Sequence, residues 1–70
     1  MTTLRADILR AVQDFEALGV TPGGPLLAGA LNHRGRSVSS RTVGRELVRM
    51  VADGVLVQER RGVRLVASDD

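Results

Sequence analysis

Val38-Ser39-Ser40-Arg41-Thr42-Val43-Gly44-Arg45-Glu46-Leu47-Val48-Arg49-Met50-Val51-Ala52-Asp53-Gly54 is the stretch whose reading decides the fold. Its apolar residues Val43, Leu47, Met50 and Val51 follow the i, i+4, i+7, i+8 spacing of one buried helical face. At about 100° per residue, Arg41, Arg45 and Arg49 gather on the opposite side with Thr42 beside them. Ser39 is placed to cap the helix, because its hydroxyl can accept a bond from an amide of the first turn. Val38 and Val43 stand where a hydrophobic staple would pack. Gly54 supplies the left-handed stop. The expected helix runs over about residues 39–53, with an apolar back and a guanidinium front. Gly44 falls on the inward side and reads as a close-packing position, at some cost in helix propensity.

Working outward, the totals narrow the possibilities. Seventy residues allow one domain, 1–70, and a chain of that size buries only about 60% of its unfolded surface. There is no Cys and a single His. Disulfides and thiolate metal sites are therefore excluded, and no metal centre or cofactor is expected. No apolar run approaches the roughly 18 residues of a membrane span, and the N-terminus does not read as a signal peptide. The expectation is a cytoplasmic protein with no membrane partner.

The net charge of +2 hides an asymmetry. Residues 34–64 carry eight Arg against Glu46, Asp53 and Glu59, a balance of +5. The flanking segments are acidic, at −1 before and −2 after. A basic surface confined to one region suggests a polyanion partner. All ten basic residues are Arg. Arg suits phosphate and guanine because its fork bonds bidentately, although codon bias in a GC-rich genome is the plainer reading of the missing Lys.

Before the central helix, Leu4, Ile8, Ala11, Val12, Phe15 and Leu18 mark a first helix over about 4–18, capped by Thr2 or Thr3. Phe15, the lone aromatic residue, is expected as the central core filler. Gly19 closes this helix and Val20 folds back on it. Thr21-Pro22-Gly23-Gly24 is a turn. Pro25 fits the first position of a second helix over 25–33, with Leu26, Leu27, Ala30 and Leu31 on its apolar face. The Lys and Ser/Thr of a phosphate-binding loop are absent after the glycines, so this is read as a plain connection. His33 is expected exposed at the helix end. Arg34 and Arg36 either touch phosphates or solvate a loop. After Gly54 the pattern becomes extended. Strands are expected at about 55–59 and 63–67 around Arg60-Arg61-Gly62, a hairpin that must pack on the helices to be stable. The last residues, 67–70, read as a frayed end.

Three helices followed by a hairpin give a mostly α fold with a small β-hairpin (α+β), the plan of a winged helix-turn-helix. In that plan the third helix enters the major groove. Ser39, Arg41, Thr42 and Arg45 are then candidates to read bases. Ser40, Arg49, Arg34, Arg36, Arg60, Arg61 and Arg64 are candidates for phosphates. The wing at 60–62 would lie on the backbone or in the minor groove.

The chain also resembles the N-terminal DNA-binding domain of LexA-type repressors, from about Leu4 to Val66. The matching pieces are Ile8-Leu9-Arg10-Ala11-Val12, Gly19-Val20-Thr21-Pro22, Ser39 with the Leu47 helix, Asp53-Gly54-Val55-Leu56 and Arg61-Gly62-Val63-Arg64-Leu65. The resemblance implies base contacts from Ser39, Arg41, Thr42 and Arg45 by position. Side chains there depart from the family's usual choices, so no operator carries over. The segment from Leu31 to Ser39 is longer than usual, the wing is shorter, and the self-cleaving C-terminal domain is missing.

The expected function is sequence-specific binding of double-stranded DNA by a small bacterial or phage transcriptional regulator, a repressor by resemblance. A homodimer on two half-sites would raise its affinity and specificity. The alternative is a winged helix that binds another protein through Val48, Ala52 and their neighbours. No nucleophile–base pair, paired carboxylates or cofactor motif supports an enzyme. The single Phe argues against an RNA-stacking platform.

Overall fold

The computed structural model describes residues 3–66. It contains α1 (Leu4–Ala17), α2 (Gly24–His33), α3 (Ser40–Ala52), β1 (Leu56–Gln58) and β2 (Val63–Leu65). The two strands pair antiparallel with Leu56 opposite Leu65, Val57 opposite Arg64 and Gln58 opposite Val63. The layout is mostly α with one small hairpin, the arrangement of a winged helix.

Two of the three helices begin at hydroxyl caps. Thr3 Oγ1 accepts from the Ala6 N–H at 3.1 Å, and Ser39 Oγ accepts from the Thr42 N–H at 3.2 Å. Both residues have extended backbone angles, as an N-cap requires. Thr2 lies outside the described residues. The α2 N-terminus is different, since Gly23 offers no side chain to cap it.

All three helices stop in the same way. Gly19, Gly35 and Gly54 have φ of +73°, +94° and +78°. The N–H of the residue after each glycine returns to a carbonyl five positions back: Val20 to Phe15, Arg36 to Leu31, Val55 to Met50, each at 2.9 Å. This paired closure satisfies carbonyls that the helix end would leave orphaned. The left-handed φ explains why glycine stands at each stop.

Each helix gives three residues to one core: Ile8, Ala11 and Val12; Leu27, Ala28 and Leu31; Val43, Leu47 and Met50. The hairpin adds Leu56 and Val63. No polar or charged side chain is buried among the described residues. Val38 packs against the core that holds Val43, in keeping with a staple at the start of α3.

Several sequence expectations need correction. Phe15 is only partly buried. It occupies the last turn of α1, where fewer elements can cover it, and the large central side chains are Ile8, Leu27, Leu31, Met50 and Leu56. Leu18 lies past the helix as its C-cap and is 76% exposed. Leu26 is exposed as well, because the inward face of α2 turns through Leu27, Ala28 and Leu31. α2 begins one residue early, at Gly24, with Pro25 still inside the first turn where it costs no hydrogen bond. The strands are three residues each. Val55 is taken by the closure of α3, and Glu59 by the hairpin loop, where its N–H donates to the Gly62 carbonyl. Ala67 lies outside the described residues. Gly44 lies near the start of α2, since a Cβ on Gly24 would fall 3.9 Å from its Cα, but its own Cβ position is open. A Cβ built on it meets nothing within 4 Å, so close packing is not what places glycine there. No helix among the described residues is long and apolar enough to cross a membrane.

Candidate nucleic-acid interface

The site starts from the geometry of α3. Val43, Leu47 and Met50 are buried, so the direction opposite them faces solvent. Arg41, Arg45 and Arg49 occupy that direction and are exposed. Ser40, the first helical residue, is exposed too. Thr42 is exposed, but its hydroxyl accepts from Ser39 Oγ at 3.0 Å. The Ser39 hydroxyl thus donates to Thr42 Oγ1 while accepting from the Thr42 N–H, and both side chains serve the cap.

The fate of α3's acidic residues matters as much as that of its arginines. Glu46 and Asp53 both lie on the side toward α1, where Arg5 gathers them. Arg5 Nε donates to Glu46 at 2.9 Å and Arg5 Nη1 to Asp53 at 2.8 Å. These hydrogen bonds, Glu46 first, raise the Arg5 pKa above its already high ordinary value. Neither carboxylate forms an ion pair with Arg41, Arg45 or Arg49.

The ten arginines divide by surface. Arg36 is bound to Asp7 at 2.6 Å, Arg34 to Asp14 and Arg64 to Glu59. Arg34 and Arg36 reach back from the α2–α3 connection to α1, where with Arg10 they line a groove floored by Leu31. Arg64 also leans along its own strand, with Nη1 donating to the Leu65 carbonyl at 3.3 Å. By contrast, Arg41, Arg45 and Arg49 on α3 and Arg60 and Arg61 at the wing tip have no ion-pair partner among the described residues, and Arg10 on α1 is the one other arginine without such a pair there. Of the phosphate candidates, then, Arg49, Arg60 and Arg61 offer unspent charge, while Arg34, Arg36 and Arg64 are already neutralised.

The start of α2 joins the wing to α3. A Cβ on Gly23 would lie 3.6 Å from the Arg61 carbonyl, and one on Gly24 3.6 Å from the Ser40 carbonyl and 3.9 Å from the Gly44 Cα. The uncapped N-terminus of α2 therefore sits between the wing tip and the first turns of α3. With no side-chain cap, this end carries the positive end of the helix dipole. The wing is fixed to the same turn, because the Val63 N–H donates to the Pro22 carbonyl at 2.9 Å. On the other side Glu16 of α1 accepts from the Leu65 N–H at 2.9 Å.

Sequence reasoning missed three residues that shape this surface. Asn32 clasps the α2–α3 connection, donating to the Ala28 carbonyl at 2.7 Å and the Val38 carbonyl at 2.6 Å. Gln58 ties the wing tip by donating to the Glu59 and Gly62 carbonyls. Glu16 blocks the free edge of β2. An Asn near a helix end is a weak hint of such a clasp; the other two leave no local signal. His33 is exposed at the end of α2, and no group of three or more potential metal ligands occurs among the described residues.

Compared with protein-family models, curated proteins and solved structures, the chain matches none of them.

Proposed function

We propose that this protein binds double-stranded DNA sequence-specifically, as a small bacterial or phage transcriptional regulator in the cytoplasm. α3 lies in the major groove, and the wing at residues 60–62 lies on the backbone or in the minor groove. One observation carries this reading. Five of the six arginines without an ion pair among the described residues lie on α3 and the wing tip, whereas of the five arginines elsewhere only Arg10 lacks a carboxylate partner. Folding alone gives no reason to keep five guanidiniums together unneutralised. A polyanion does, because each phosphate contact releases condensed counterions.

The exposed faces supply both kinds of contact that DNA recognition needs. Arg41 and Arg45, in the first half of α3, are aimed to read base edges, and Arg bidentate to guanine is the commonest specific contact. Arg49, Arg60, Arg61 and the α2 N-terminus meet phosphates, which fix register. A single reader of this size binds modestly, so a homodimer spanning half-sites one helical turn apart, about 34 Å, is expected. No cofactor or catalytic role is proposed.

A second reading, a protein-interaction module, draws on Val48, an apolar side chain 70% exposed on the same face. Fluorescence anisotropy of a labelled random-sequence duplex, titrated from low to physiological salt, separates the two. DNA binding predicts an affinity that falls steeply with salt and is lost in an Arg41→Ala, Arg45→Ala variant. Absence of binding at low salt, with the variant still folded, rejects DNA in favour of a protein partner.

A further inference from the structure

Resting on the DNA reading above, we infer that Val48 reads the C5 methyl of a thymine, within two base pairs of a guanine read by Arg45. Val48 is 70% exposed in the third turn of α3. The helix does not need it for the core, since Val43, Leu47 and Met50 fill the inward face. Nor does propensity favour it, because a β-branched residue loses side-chain freedom in a helix.

One turn earlier stands Gly44, where a Cβ would meet nothing within 4 Å. Helical side chains lean toward the N-terminus, over the residue four positions back. The Val48 methyls therefore lean over the surface that Gly44 leaves bare. Val48 is thus a short apolar side chain beside a position with none, and the exposed Arg41 and Arg45 stand next to this pair on α3.

A methyl-sized apolar spot among unneutralised cations fits one feature of duplex DNA. In the major groove thymine alone of the four unmodified bases presents a methyl group, beside its O4 acceptor. A protein partner would need a broader apolar centre. Val48 is the one large exposed hydrophobic residue on α3, and its exposed neighbours on that face are Arg41, Arg45 and the small side chain of Ala52. Arg45 and Val48 are three residues apart, a rise of about 4.5 Å. Stacked bases are about 3.4 Å apart, so the two side chains address the same or adjacent steps.

The test begins with selection of binding sites from a random duplex pool. Each thymine of the selected site is then replaced by deoxyuridine, which deletes only the C5 methyl, and Kd is measured by anisotropy. At one position, within two base pairs of a guanine whose preference is lost in Arg45→Ala, uridine is expected to weaken binding about fourfold, the transfer value of one methyl. In Val48→Ser, with circular dichroism confirming the fold, the same replacement is expected to cost nothing. Salt-sensitive DNA binding with no thymine–uridine difference at any position overturns this inference and leaves the DNA reading standing. Thymine–uridine discrimination that survives in Val48→Ser also overturns it. No duplex binding at low salt overturns both.

Discussion

Gly62 lies against Pro22 so closely that a Cβ on it would fall 2.1 Å from the Pro22 carbonyl oxygen and 2.4 Å from its carbonyl carbon. The next residue, Val63, uses that contact, donating its N–H to the same oxygen at 2.9 Å. The wing is thus held to the turn before α2 by backbone alone. Gly62→Ala must push the two chains apart, and overpacking of this kind costs about 1–3 kcal/mol. For a domain of this size about 4–8 °C of Tm is expected per kcal/mol. Thermal unfolding followed by circular dichroism checks it; an unchanged Tm would mean that the turn yields freely.

Gly44 calls for the opposite change. Its backbone is helical and a Cβ there meets open space. Gly44→Ala should therefore stabilise the protein by about 0.5–1 kcal/mol through helix propensity. Denaturant titration should show a raised midpoint with an unchanged slope. A lowered midpoint would reveal a neighbour pressed against this position.

The contrast between these glycines shows what local sequence can and cannot convey. The helix α3 was legible because its cap, its apolar period and its stop lie within seventeen consecutive residues. Its outward face follows from the same periodicity. The Gly62–Pro22 contact, the Arg5–Glu46 pair 41 residues apart and the Leu65–Glu16 bond 49 residues apart depend on how elements dock. For the same reason the sequence marked a basic region but not which arginines within it are neutralised. The acids that neutralise Arg34 and Arg36, Asp14 and Asp7, come from α1. Phe15 departs from its expected central place because size alone does not decide how far a last-turn residue is covered.

Asn32 offers a test of how α3 is aimed. Its amide donates to the Ala28 and Val38 carbonyls, and its oxygen accepts from the Val38 N–H at 3.4 Å. Val38 immediately precedes the Ser39 cap, so the clasp sets where α3 begins. Asn32→Ala should cost about 1–2 kcal/mol, the scale of lost hydrogen bonds at a partly covered site. Asn32→Asp should cost more, because a carboxylate would face the Ala28 and Val38 carbonyl oxygens and be repelled by both. Comparing the two midpoints in urea decides it; equal losses would assign the residue a packing role only.

The division of the arginines gives the most discriminating prediction, since it separates charge from charge that is free to act. Replacing Arg49, Arg60 or Arg61, the phosphate contacts of the proposed complex, with Ala removes one counterion-release event. The slope of log K against log salt should then become shallower by about 0.9. Arg34→Ala and Arg64→Ala remove the same formal charge, but each breaks a partly exposed ion pair worth about 0–1 kcal/mol and leaves a carboxylate behind. Their salt slopes should stay near that of the parent protein, with any loss of affinity small and similar at all salt concentrations. The same anisotropy titration at four or five salt concentrations measures both groups. If Arg34→Ala flattens the slope as much as Arg60→Ala does, net charge governs binding and the arrangement on α3 and the wing does not.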